Sequence, residues 1–170
     1  MATIGLDKLY YAPITDDADG SETYGTPVAL APAISADLSA EIAEAILYAD
    51  DGAEEVVKEF KQGTITFKIS DLGSAKAAAL TGATVDSKGV LIDTGEDSPQ
   101  PVAIGFRGKK SSGKYVYYWL YRVTFATPGT SLQTKGESVT FSSPTIEGTI
   151  VRRKKADTKN KHPWRGWIDE

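Results

Sequence analysis

Gly108-Lys109-Lys110-Ser111-Ser112-Gly113-Lys114 matches the spacing G-x-x-x-x-G-K. In a phosphate-binding loop, backbone N–H groups and the lysine cradle the phosphates. A Ser or Thr then holds magnesium, and a helix N-terminus faces the anion. Here Tyr115 comes next and a strand-like run succeeds it, so the spacing predicts a basic hairpin turn instead. Thr15–Thr26 offers Asp17, Asp19 and Gly20 in the manner of a calcium loop. Aligned on Gly20, position 12 is Thr26, the bidentate glutamate is missing, and a solvated loop is expected. His162 is the only histidine and the chain has no cysteine, so an ordinary zinc site lacks its ligands. The carboxylates Asp50-Asp51 and Glu54-Glu55 fall where a turn would expose them, whereas acid–base catalysis needs shifted carboxylates in a cleft. No G-x-S-x-G occurs. The expectation is a non-enzyme with no catalytic residue, no cofactor and no metal.

The elements that would carry these residues read as mostly β. Tyr115 to Phe125 is the clearest strand. Tyr115, Tyr117, Trp119, Tyr121, Val123 and Phe125 alternate with Val116, Tyr118, Leu120, Arg122 and Thr124, and a period of 2 fits. Both faces are largely apolar, which predicts a central strand covered on both sides, with one cover open to another subunit. Ile65, Phe67 and Ile69, Val139 and Phe141, and Ile146, Gly148 and Ile150 show the same alternation. Shorter strands are expected at Leu6–Ala12, Val28–Ile34, Val90–Asp93 and Val102–Phe106. One short helix is expected at Ser74–Leu80, capped by Asp71 and ended by Gly82. Many short strands at this spacing suggest a two-sheet sandwich or a barrel-like fold.

The segment from Ala36 to Gln62 is ambiguous. Its alanines and glutamates invite a helix, but Tyr48-Ala49-Asp50-Asp51-Gly52 breaks the helical pattern, and Asp51-Gly52 is a two-residue turn signal. A long protruding hairpin with its tip near Asp50 to Gly52 is expected, with a helical pair as the alternative.

Charge is divided along the chain. The first 60 residues hold 13 acids and 2 bases (net −11), and the other 110 hold 10 acids and 17 bases (net +7), which sum to −4. Complementary ends can steer copies of one chain head to tail; solvated faces that merely differ in charge are the plainer reading. The tail at 152–170 concentrates Arg152, Arg153, Lys154 and Lys155, with Trp164 and Trp167 after them. It suits a basic arm that docks on an acidic neighbour, or a nucleic-acid contact. Length and an apolar content of 41 % fit one soluble domain over 1–170. No run approaches a membrane span and no secretion signal is read at the start, so a cytosolic origin is expected.

Several short stretches together carry a resemblance. They are Gly5-Leu6-Asp7-Lys8-Leu9-Tyr10-Tyr11-Ala12, Tyr24-Gly25-Thr26-Pro27-Val28, Leu47-Tyr48-Ala49-Asp50-Asp51-Gly52, Val102-Ala103-Ile104-Gly105-Phe106-Arg107, Tyr118-Trp119-Leu120-Tyr121 and Gln133-Thr134-Lys135-Gly136-Glu137-Ser138. In this order, over about nine-tenths of the chain, the set resembles the major tail proteins of long-tailed, non-contractile bacteriophages. The resemblance implies a β-sandwich with one flanking helix, a long hairpin and extended terminal arms. It further implies sixfold rings stacked into a tail tube around a tape measure protein. Tail terminator and distal tail proteins would be partners, and DNA would cross the lumen in transit. Assembly in the host cytoplasm and residence in the virion tail come from the same likeness. The hairpin would link subunits through Leu47, Tyr48, Asp50, Asp51, Gly52, Glu54 and Glu55, and the arm through Arg152, Arg153, Lys154, Lys155, Trp164 and Trp167. The basic run Arg152 to Lys161 is richer than that pattern. The alternative is a non-viral binding module, or a nucleic-acid binder using the basic tail.

Overall fold

The computed structural model describes residues 2–16, 18 and 20–170. The chain is mainly β with one short helix, as its alternating patterns predict. Nine of its strands form one antiparallel sheet. In chain order the strands along its path are β1 (Thr3–Asp16), β2 (Thr23–Tyr24), β4 (Ala33–Ala49), β5 (Gly52–Ile69), β8 (Val102–Lys110), β9 (Tyr115–Phe125) and β10 (Thr145–Ile150). In space they run β2-β1-β8-β9-β10-β5-β4, while β3 (Val28–Ala29) adds to β1 and β11 (Arg165–Asp169) adds to β9. A second, two-stranded sheet pairs β6 (Thr84–Val85) with β7 (Leu91–Ile92). Among the described residues the large sheet does not close into a barrel.

The sheet curls over itself. Phe67 on β5 meets Phe106 on β8 edge to face, with ring centroids 5.6 Å apart, although two strands lie between them in the sheet. Ile65, Phe67 and Ile69 from β5, Ile104 from β8 and Leu120 from β9 are fully buried between the layers. Burial of an aliphatic or aromatic side chain stabilises by about 1.5–3 kcal/mol, so this cluster is the main support of the fold.

Of several register irregularities in the sheet, two flank the strand pairings of β8. Opposite Arg107 and Gly105 of β8, β1 runs from Asp7 to Tyr10, one residue too many, and Lys8 sits at φ 56°. Opposite Ile104 and Val102, β9 runs from Leu120 to Val123, again one residue too many. A bulge inserts an unpaired residue, bends the strand and re-aims the side chains beyond it. The alternation expected along β9 therefore breaks at Tyr121–Arg122. Val116 and Leu120 are buried before the bulge, and Val123 and Phe125 after it. Before the bulge, the expected aromatic face of Tyr115, Tyr117 and Trp119 points away from the core.

The single helix α1 spans Ser74–Thr81, and Gly82 ends it in the left-handed region at φ 75°. Its N-cap is Gly73 and no side chain caps it, so Asp71 does not have the expected role. Val139 and Phe141 are not in a strand; they lie in an irregular stretch between β9 and β10, with Phe141 88 % exposed. The alternation there marks a segment whose apolar side chains have no partner within the chain's core.

Candidate functional site

The Gly108–Lys114 segment is a hairpin turn. Lys110 and Lys114 pair through their backbone at 2.8 Å, Gly113 takes φ 85°, and Tyr115 begins β9 where a phosphate loop would need a helix. Asp17 and Asp19 of the calcium-loop reading lie outside the described residues. Among the described residues no group of three His, Asp or Glu side chains is placed to hold a metal ion, and no helix is long and apolar enough to cross a membrane. His162 sits exposed with Nδ1 3.1 Å from the carbonyl of Arg153.

The segment at 36–62 is a β-ribbon. β4 and β5 pair from Ala33↔Ile69 to Ala49↔Gly52, closed by Asp50 and Asp51 at φ 49° and 60°. Both central turn residues have positive φ, the geometry that matches the twist of a two-residue hairpin. The turn is centred one residue before the Asp51-Gly52 signal. β5 pairs with β10 only from Gly63 to Lys68. From Gln62 to Gly52 β5 pairs with β4 alone, a length of about 35 Å at about 3.3 Å per residue. Every residue from 40 to 59 is exposed except the half-buried Ala49. Ile42, Ile46, Leu47, Tyr48, Val56 and Val57 stand among these exposed residues, with Tyr48 at 70 %. Glu44 and Lys58 make one cross-strand ion pair at 3.6 Å; exposed pairs of this kind contribute at most about 1 kcal/mol. Asp50, Asp51, Glu54 and Glu55 crowd the tip, with no base among them.

The basic tail folds back onto its own chain. Trp164 stacks on Phe60 at the root of the ribbon, centroids 4.4 Å apart and planes 1° from parallel. Arg153 lies over the Tyr121 ring at 5.0 Å, and β11 pairs with the first half of β9. Arg152, Lys154, Lys155 and Trp167 keep exposed side chains.

An acid from the first third holds this tail. Glu22 is 2 % exposed, accepts from Arg122 Nη1 at 3.1 Å, and accepts from the backbone N–H of Lys154. Beside it Tyr24 donates its hydroxyl to the carbonyl of Tyr121 at 3.1 Å. Burial, reinforced by the Glu22 charge, pushes the Tyr24 phenol up to about 12. Asp7 grips Arg107 through two hydrogen bonds of 2.8 and 2.5 Å. That hydrogen bonding holds the Asp7 carboxyl below its usual range and raises Arg107. Lys110 pairs with Asp169. Part of the charge division is therefore satisfied within one chain, while a cluster of acids stands exposed on the ribbon.

The outward face of β1, β8, β9 and β11 forms an open aromatic groove of about 710 Å³. One row across it pairs Tyr10 with Gly105, Gly105 with Trp119, and Trp119 with Gly166. The two glycines leave room for flat rings: the Trp119 indole covers Gly105, and the Tyr121 hydroxyl approaches Gly166. Tyr117 and Ile168, paired across β9 and β11, extend the floor at 42 % and 67 % exposure. Residue types alone flag an apolar second face on β9. The β1 bulge and the glycine row that shape the groove have no separate signal in the sequence.

No family model and no curated protein matches the chain. Among solved structures it is similar to the anti-feeding prophage cap, a tube-terminating cap determined by cryo-electron microscopy. The TM-score is 0.47 at 11 % identity, over 100 % of this chain and 93 % of that one.

Proposed function

We propose that this chain is a structural subunit that self-assembles through its β4–β5 ribbon into the rings and stacked tube of a phage-type tail. One observation carries the reading: a ribbon of about 35 Å exposes apolar side chains along its length and touches the domain only at its root. An isolated two-stranded ribbon is marginal in water, so such a ribbon gains its order on a partner. The ordered motifs resembling major tail proteins supply the kind of assembly. Leu47, Tyr48, Asp50, Asp51, Gly52, Glu54 and Glu55 are the joint. Arg152, Lys154, Lys155 and Trp167 form a secondary contact surface, while Arg153 and Trp164 hold the tail in place. Tape measure, terminator and distal tail proteins are the partners this role requires, with DNA passing in transit and the virion tail as the location.

The test is to replace residues 46–56 by a two-residue turn between Ala45 and Val57, and to examine one sample by thermal melting and negative-stain microscopy. The expected result is a folded monomer that builds no tubes, while the unaltered chain builds rings or tubes. Normal tubes from the shortened chain would remove the ribbon as the joint. Loss of folding would place the ribbon in the core. Binding of DNA at physiological salt by an unaltered chain that never assembles would favour a nucleic-acid binder instead.

A further inference from the structure

Resting on that reading, we propose that the acidic ribbon tip of one copy docks in the aromatic groove of a second copy. The groove is apolar at its floor and basic at one end. Tyr117, Trp119 and Ile168 offer flat apolar surface. At one rim stand the bases Lys8 and Arg107, with Lys109 two residues on along β8, against Asp7, which pairs with Arg107, and Glu170, whose carboxylate accepts from the Tyr115 backbone N–H. The ribbon presents the complement: apolar Ile46, Tyr48 and Val56 on one face, and Asp50, Asp51, Glu54 and Glu55 at its end.

Size agrees as well as charge. Four adjacent strands set the groove floor at about 14 Å across, from about 4.8 Å per strand interval, and a two-stranded ribbon with its side chains fits within that width. The spaces over Gly105 and Gly166 are filled by this chain's own Trp119 indole and Tyr121 hydroxyl, which lie low and leave the floor a flat aromatic surface. The ribbon does not fill its own groove: its tip residues are exposed and pair only with each other. The occupant is thus a second copy, and the contact is head to tail. A contact between two different patches propagates unless its rotation closes a ring.

The chain has no cysteine, so paired cysteines report the contact directly. Tyr48→Cys protein is mixed with Tyr117→Cys protein under assembly conditions and oxidised, and the mixed disulfide is quantified. The control replaces Tyr117→Cys by Leu132→Cys, which is 85 % exposed on the loop between β9 and β10. Docking raises the effective concentration of the two thiols, so the mixed disulfide should exceed the control by at least about tenfold. Lys8→Glu with Lys109→Glu should bring it down toward the control, and Asp50→Lys with Glu54→Lys on the ribbon should restore it. A yield equal to the control in a sample that shows tubes would overturn the groove as the receptor and leave self-assembly standing. No excess disulfide and no assembly at any concentration would overturn both. A high yield indifferent to the charge exchange would overturn the basic rim's part in recognition.

Discussion

The indole of Trp119 lies flat across Gly105: a Cβ on Gly105 would stand 1.8 Å from Trp119 Cζ3. Gly105→Ala must therefore displace the ring or part β8 from β9. Overpacking of this kind costs about 1–3 kcal/mol. The expected outcome is a lower melting temperature together with a shift in tryptophan emission as the indole lifts into water. An unchanged spectrum and melt would show that the ring does not rest there.

Glu22 is the buried acid that ties the tail to the body, through Arg122 and the Lys154 backbone. Removing one partner of a buried pair leaves the other desolvated, at about 3–5 kcal/mol. Glu22→Ala should destabilise by that order, and Glu22→Gln by less, because the amide oxygen still accepts a hydrogen bond. Chemical denaturation of the three proteins gives the ranking. Tail release should also raise proteolysis after Arg152 and Lys155, a readout independent of global stability.

Tyr24 should titrate late. Its phenol is pushed up to about 12 from 10, chiefly by burial. The fold favours the neutral phenol, so the resulting stability is fully present below pH 10 and is lost as pH rises from 10 toward 12. In an ultraviolet phenolate titration, Tyr24 should give a lagging phase. Tyr24→Phe should abolish that lagging phase and flatten the alkaline loss. It should also cost about 0.5–1.5 kcal/mol at neutral pH for the missing hydrogen bond to Tyr121. A variant that keeps the late phase would assign it to another tyrosine.

Salt dependence should reside in the ribbon tip. Asp7, Glu22 and Asp169 pair with bases of their own chain, whereas Asp50, Asp51, Glu54 and Glu55 crowd together in solvent. Screening acts over about 10 Å at 0.1 M salt, so the unaltered chain should assemble more slowly as salt rises. With Asp50→Asn, Asp51→Asn, Glu54→Gln and Glu55→Gln together, light scattering should show a rate nearly flat in salt. A steep dependence that persists in this variant would place the steering charges elsewhere.

Much of the fold is legible in the sequence because strand alternation and turn chemistry are local. The single helix ends at Gly82 as its pattern requires, and the hairpin at 36–62 is marked by a break in helical spacing beside two aspartates. The rest depends on pairings distant in sequence. The face of β9 beyond Leu120 departs from simple alternation because its bulge is defined only against β8. Lys8 supplies a left-handed residue without the glycine that would mark it. Glu22 reads as one more loop acid, since its burial arises from Arg122 and Lys154, 100 and 132 residues away. The exposed apolar side chains at Val139 and Phe141 alternate like a strand but have no neighbour strand to pair with.

The distal half of β4 is an edge with unpaired backbone groups, and β4 as a whole carries Asp37, Glu41 and Glu44 but no base. Two copies meeting edge to edge along β4 would set carboxylate against carboxylate, which disfavours the pairing. The wrong dimer is thus refused by the same composition that leaves the ribbon attractive to a basic surface. Free subunits are thereby protected from like-with-like pairing at this edge, which leaves the ribbon to contacts with surfaces of opposite sign.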